Sequence, residues 1–141
     1  MISVERVASD EEFEEVFAIR KEVFVEEQGV PEIEEYDGYE PISIHYLACV
    51  DGVPAGCARW RVTPYHQVKL ERFAVRKPWR DKGIGKAVLF KMLEEIPSNM
   101  PVILHAQEAA MGFYQKAGFV AEGERFFECD IPHFRMVYKP N

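Results

Sequence analysis

The sequence predicts an α+β domain, a mixed and mostly antiparallel sheet with helices on both faces. Three observations carry this. An apolar, β-prone run (Leu70, Phe73, Ala74, Val75) passes through Arg80-x-x-Gly83-x-Gly85 into residues at helical spacing. Those residues are Ile84, Val88, Met92 and Ile96, with Leu89 and Leu93 beside them, so strand, glycine turn and helix follow in succession. Asp51-Gly52 lies between two further β-prone runs and is a strong hairpin signal. Helical stripes stand both before the hairpin (Phe13, Val16, Phe17, Val23, Phe24) and after the central helix (Ala109, Ala110, Phe113, Tyr114, Ala117). At 141 residues the chain is expected to form one domain, residues 1–141, with a real core.

In order, Ile2 to Val7 alternates and forms a short strand. Ser9 or Asp10 can cap the first helix, with Glu11 and Glu12 favourably placed in its first turn. Arg20 lies on the stripe of that helix. It is expected either to pack its stem and pair with a nearby glutamate such as Glu26 or Glu27, or to present a cation to an acceptor. Gln28 to Pro41 is punctuated by Gly29, Pro31, Gly38 and Pro41 and carries Glu32, Glu34, Glu35, Asp37 and Glu40. It is expected to be a solvated surface loop with at most a helical turn. Ser43 to Val50 and Gly56 to Val62 are the arms of the hairpin, and Thr63, Pro64 and Tyr65 make the next turn. After the central unit, Pro97 stops the helix. Val102 to Ala106 is a buried strand, and Gly118 caps the following helix. Phe119 to Phe127 and His133 to Tyr138 are the last strands, with Asp130, Ile131 and Pro132 between them.

Composition excludes several classes. Seventeen basic residues against 24 acidic ones give a net charge of −7, unlike the basic footprint of a general nucleic-acid binder. Cys49, Cys57 and Cys129 are odd in number and form no C-x-x-C pair, so they are expected to be small buried hydrophobes in strands, not a disulfide or zinc framework. His45, His66, His105 and His133 show no metal-ligand spacing, and no metal is expected. No signal peptide or membrane-length apolar run is present, which makes the cytoplasm the expected location.

The chemistry is expected at the glycine turn. The first N–H groups of a helix have no intrahelical partner and lie at the positive end of its dipole, and glycines allow an anion close approach. Arg80, Lys82 and Lys86 add mobile positive charge there, so a cofactor diphosphate is the expected ligand. A Walker A loop fails because Ala87 follows Lys86. A Rossmann fingerprint fails at Val88, where a third glycine is needed, and hairpins occupy the space of its flanking units.

Taken together, F-A-V (Phe73, Ala74, Val75), R-x-x-G-x-G and F-Y-x-x-x-G-F (Phe113, Tyr114, Gly118, Phe119) resemble the GNAT acyltransferase superfamily, over essentially the full chain in element order. R-x-x-V-F-V-x-E-Q (Arg20, Val23, Phe24, Val25, Glu27, Gln28) and I-P-H-x-x-M (Ile131, Pro132, His133, Met136) are similar to its bacterial YjcF/ElaA-like subgroup.

The resemblance implies acetyl-CoA, or another acyl-CoA, as donor co-substrate. By position it puts the pantetheine arm against the backbone of Phe73, Ala74 and Val75, whose N–H groups could also stabilise the thioester oxyanion. It puts the pyrophosphate on Arg80, Asp81, Lys82, Gly83, Ile84, Gly85 and Lys86, chiefly Asp81 to Gly85. Phe113 and Tyr114 fall on the F-Y pair, and Tyr114 matches the tyrosine that often protonates the departing thiolate. Gln107 stands where many members carry asparagine and can still offer a carboxamide to the pantetheine.

The implied reaction is N-acetylation of a primary amine on a small molecule or peptide, by direct transfer in a ternary complex. The ammonium must first lose a proton, and Glu27, Glu71, His133 or a water is the candidate base. The alternative is a non-catalytic acyl-CoA-binding or sensing domain. No nucleic-acid or membrane partner is expected, and the oligomeric state, a homodimer included, is left open.

Overall fold

The computed structural model describes residues 1–140. The fold is α+β, a mixed, mostly antiparallel sheet flanked by helices. It divides into two compact units, one of Met1–Arg61 with Arg72–Ile96, the other of Val62–Glu71 with the chain from Pro97 onward.

The first unit starts with β1 (Ile2–Arg6) and α1 (Asp10–Arg20). Of the two candidate caps, Ser9 is the one that caps α1, through a reciprocal capping box with Glu12. The chain then continues as a π-helical turn, Lys21–Glu27, which periodicity at 3.6 residues does not foresee. α2 (Glu32–Glu35) and a 3₁₀ turn (Glu40–Ile42) lead to β2 (Ile44–Val50) and β3 (Val53–Val62). β4 (Val68–Val75) enters this unit with its second half. A 3₁₀ turn (Lys77–Trp79) and α3 (Ile84–Glu95) complete it.

β1 and β3 both pair antiparallel with β2. Leu47 packs with Val16, Ile19, Val23, Phe24, Cys57 and Ala74 in a core under α1. Its neighbour Tyr46 points to the other face, where its hydroxyl donates to Glu95 of α3 at 2.8 Å and accepts from Trp60 Nε1 at 3.2 Å. Helices therefore cover both faces of this unit. Gly56 is required by that packing, since a Cβ there would stand 3.0 Å from Ile84 Cγ2 and from the carbonyl oxygen of Ala74.

The second unit contains the first half of β4, then β5 (Val102–Gln107), a 3₁₀ turn (Glu108–Ala110), α4 (Met111–Lys116), β6 (Phe119–Glu128) and β7 (Ile131–Tyr138). β4 and β5 are parallel over Val68↔Val102 to Leu70↔Leu104, whereas β7 lies antiparallel between β5 and β6. The last turn differs from the sequence expectation. Cys129 and Asp130 form it with φ of 50° and 61°, and Ile131 and Pro132 already belong to β7. Two consecutive left-handed residues are the signature of the tight hairpin turn whose twist suits flanking strands. Cys129 is thus exposed, not a buried strand residue, whereas Cys57 is buried as expected.

Candidate functional site

β4 is the element from which the candidate site grows. Arg72 interrupts it in a left-handed conformation, φ 60°, uncommon for a residue with a side chain. Its guanidinium explains why the conformation holds: Nε lies 2.7 Å from Oε1 of Glu35 and Nη2 3.2 Å from Oδ2 of Asp37. Phe73, Ala74 and Val75 follow, with Ala74 buried and the other two half-buried.

The turn after β4 presents backbone. Asp81 (φ 62°) and Gly83 (φ 82°) are both left-handed, and Gly83 is the N-cap of α3 without a side-chain cap. The first intrahelical bond is Ala87 N–H to the Gly83 carbonyl at 3.0 Å, leaving the N–H groups before it as helix-terminal donors. Asp81, Lys82, Gly83 and Lys86 are exposed, Gly85 is half-buried, and Ile84 anchors the turn in the core. A Cβ on Gly83 would meet nothing within 4 Å, so an anion has room to approach. These residues fit a diphosphate.

The charges around the turn are less free than the sequence suggests. Arg80 donates from Nε to the Val75 carbonyl at 2.8 Å and from Nη2 to Glu27 Oε1 at 2.8 Å. The Lys82 ammonium sits over the Trp79 ring at 5.7 Å and that of Lys86 over Phe90 at 5.6 Å. Glu27, at the end of the π-helical turn, is therefore an ion-pair partner of this turn.

Arg20 packs and pairs with glutamate as one reading expects, but its partners are Glu35 and Glu40 and not Glu26 or Glu27. It is 1% exposed, bonds Glu35 through Nε at 3.2 Å, and reaches Glu40 from Nη2 at 3.4 Å. Its guanidinium lies 5.3 Å over Phe17 and 5.7 Å over Tyr36, rings that line an open pocket of about 530 Å³ with Gly38 and Glu40. The acidic run is thus partly internal. Burial pushes the Glu35 carboxyl up despite Arg72 and Arg20 beside it. Asp37 is opposed by burial too, yet the hydrogen bond from Arg59, the Tyr39 N–H and the charges of Arg59 and Arg72 bring it down to about 2.

In the second unit, Tyr114 of α4 is 7% exposed, set edge-on to Phe113 at 5.0 Å and to Phe119 at 6.1 Å. Burial pushes its phenol well above the usual range, which keeps it a neutral proton donor. Gln107 ends β5 and is the register partner of His133 on β7. Glu71 pairs with Lys69 at 3.2 Å, and its side chain is 7% exposed. His133 is 8% exposed and stacks on Phe126. Glu128, which the sequence did not single out, lies 3.5 Å from His105 and 3.6 Å from His133. The contact with the His105 ring first, then the nearby His133 and Lys69, hold its carboxyl below the usual range against burial. Among the described residues no cluster of three ligating side chains could hold a metal.

A family model described as the acetyltransferase (GNAT) domain matches residues 6–140. An uncharacterized N-acetyltransferase of Bacillus subtilis, YjcF, is 37% identical over 133 residues, 92% of this chain and 94% of that protein. The crystal structure of Escherichia coli ElaA is 27% identical, with a TM-score of 0.88 over 99% of this chain and 100% of that one. An acyl-CoA N-acyltransferase from Pseudomonas aeruginosa is 29% identical, with a TM-score of 0.84 over 98% of each chain.

Proposed function

Because this chain belongs to the acetyltransferase (GNAT) domain family, an acyltransferase fold that takes acyl groups from CoA, we propose that it is an N-acetyltransferase. It moves the acetyl group of acetyl-CoA to a primary amine of a small molecule or peptide, by direct transfer in a ternary complex. We also place it in the YjcF/ElaA-like subgroup, on the strength of Arg20 to Gln28, Ile131 to Met136 and the relatives above. The observation that carries the function is the turn into α3, with left-handed Asp81 and Gly83 and uncapped helix-terminal N–H groups.

In this reading the N–H groups from Asp81 to Lys86 hold the diphosphate, and Arg80 braces the turn instead of reaching for phosphate. The backbone of Phe73 and Ala74 receives the pantetheine arm and offers N–H groups to the thioester oxyanion. The Val75 carbonyl already accepts from Arg80, so its share in that pairing is smaller. Gln107 and Phe113 contact the arm, and Tyr114 gives its phenolic proton to the departing thiolate. His133 is favoured over Glu27 and Glu71 as base, since both glutamates are held by a cation at 2.8 and 3.2 Å. One domain and a cytoplasmic location without nucleic-acid or membrane partners complete the reading. Among the described residues no helix is long and apolar enough to cross a membrane.

The test is a panel of primary amines mixed with acetyl-CoA, with release of free thiol as the readout, beside melting curves with CoA and with NAD. Thiol release with at least one amine and a melting temperature raised by CoA alone are expected. Stabilisation by CoA with no turnover across the panel would favour the non-catalytic acyl-CoA-binding alternative. No response to CoA would overturn both.

A further inference from the structure

The hairpin of β6 and β7 brings an acid and an imidazole together beside the end of β5. Glu128 bridges two histidines, Oε2 facing Nδ1 of His105 at 3.5 Å and Oε1 facing Nε2 of His133 at 3.6 Å. Nδ1 of His133 lies 2.7 Å from the carbonyl oxygen of Ile131. That oxygen can only accept, so Nδ1 carries the hydrogen and Nε2 of the neutral ring is a bare lone pair. Phe126 fixes the rings, stacking on His133 with centroids 5.9 Å apart and meeting His105 edge-on at 5.0 Å. The His133 side chain is 10% exposed and that of Glu128 46%, so the pair is anchored on one side and reachable from the other.

A lone pair and a carboxylate that face each other at 3.6 Å are two acceptors. The gap is too long for a hydrogen bond, but a group with several N–H bonds can sit at about 2.8 Å from both. A primary ammonium is that group, with three donors and a positive charge. We propose that Glu128 and His133 form the ammonium site of the acceptor amine: Oε1 of Glu128 holds the ammonium and Nε2 of His133 takes its proton. This rests on the N-acetyltransferase reading and names the acceptor-side groups of that site. His133 is the register partner of Gln107, which contacts the donor arm in that reading, so the freed amine is placed beside that arm.

The step balances. An N–H bond of the ammonium breaks, its proton goes to Nε2, and the nitrogen keeps the electron pair. That pair forms the C–N bond at the thioester carbonyl, the C–S bond breaks, and the sulfur leaves with its electrons to be protonated by Tyr114, while the nitrogen sheds its second proton as the amide forms and that proton restores the Tyr114 phenol through solvent. Glu128 stabilises the imidazolium that His133 becomes. The other titratable groups facing the pair are His105 on the far oxygen and Lys69 of β4, which pairs with Glu71 and acts on Glu128. Arg135 of β7 stands opposite His105 in the sheet register. His105 and Lys69, with His133, hold the Glu128 carboxyl below its ordinary range, and a group without N–H bonds, such as a quaternary ammonium, cannot use the lone pair.

The test has two arms on the full chain. In the first, butylammonium chloride is titrated, with and without CoA, while long-range proton–nitrogen correlations report the histidine rings. Nε2 of His133 is expected to shift saturably with butylammonium and not with tetramethylammonium. Glu128→Gln should need about tenfold more butylammonium for the same shift. A His133 Nε2 that stays still, or that shifts equally in Glu128→Gln, overturns the ammonium site. The second arm follows thiol release with a turned-over amine against pH. His133→Gln should lower kcat about 100-fold and erase the acidic limb of the profile. Glu128→Gln should raise the amine KM about tenfold and move that limb to lower pH, with CoA affinity unchanged. An acidic limb unchanged in both variants overturns the proton-accepting role. A wild-type protein that releases no thiol with any amine overturns the acetyltransferase reading instead, and the first arm still decides the ammonium site by itself.

Discussion

Arg80 and Glu27 are locked together: Nη2 of the arginine donates to Oε1 of the glutamate at 2.8 Å, and Nε of the same guanidinium donates to the Val75 carbonyl at 2.8 Å. One side chain thus ties the end of β4 to the end of the π-helical turn, just before the backbone that is to hold the diphosphate. A glutamate engaged this way braces the turn and makes a poor proton acceptor. Glu27→Gln is therefore expected to weaken CoA binding about two- to fivefold, the scale of a partly exposed ion pair, and to keep the wild-type acidic limb. CoA titration calorimetry and a pH profile of kcat/KM check this. A fall in turnover of a hundredfold or more with loss of that limb would make Glu27 the base.

The backbone of the same turn makes a sharper prediction. Gly83 sits at φ 82°, where a side chain is strained, although a Cβ would meet nothing within 4 Å. Gly83→Ala should thus cost about 1 kcal/mol of stability and weaken CoA modestly. Gly83→Glu or Gly85→Glu sets a carboxylate against the diphosphate and should abolish CoA binding while the protein still melts cooperatively. CoA affinity equal to wild type in either glutamate variant would move the phosphates elsewhere.

The strand–turn–helix was legible because its signals are local, with apolar periodicity on each side of residues that permit positive φ. The same holds for the Ser9 cap and the Asp51-Gly52 turn. What stayed hidden depends on contacts distant in sequence. Arg72 takes a left-handed conformation in a strand, and only Glu35 and Asp37, about 35 residues earlier, account for it. Those acids looked solvated because composition cannot show that Arg20, Arg59 and Arg72 converge on them. Glu128 was missed for a related reason. With the turn set at Asp130 to Pro132, its strand ended early, whereas a turn at Cys129 and Asp130 pairs Glu128 with Ile131 and Phe126 with His133.

Asp37 sets an acid limit on stability. Its folded-state carboxyl lies at about 2, below the ordinary 3.8, through Arg59, Tyr39 N–H and Arg72 acting against burial. A depressed carboxyl contributes stability above its unfolded value and loses that contribution as pH falls through the folded one. The window is therefore roughly pH 4 down to pH 2. Asp37→Asn should be about 2 kcal/mol less stable than wild type at pH 7, and the two should converge near pH 2. Urea unfolding at several pH values checks this, and a difference that persists at pH 2 would show that packing, not charge, is what Asp37 supplies.

Tyr114 tests the leaving-group side without disturbing the donor site. It is 7% exposed against Phe113 and Phe119, and burial holds its phenol protonated through the whole working range. A buried neutral phenol can give its proton to a thiolate as the C–S bond breaks, but it has no charge with which to hold CoA. Tyr114→Phe keeps the ring and removes the hydroxyl that carries that proton. It should lower kcat about 10- to 100-fold, leave CoA affinity within about twofold, and make the rate sensitive to the acidity of the leaving thiol. The measurement is single-turnover thiol release from acetyl-CoA and from a thioester of a more acidic thiol. The variant should recover most of its loss with the second donor, since a better leaving group needs no acid. An unchanged rate, or an equal loss with both donors, would remove Tyr114 from proton transfer and leave it a packing residue of α4.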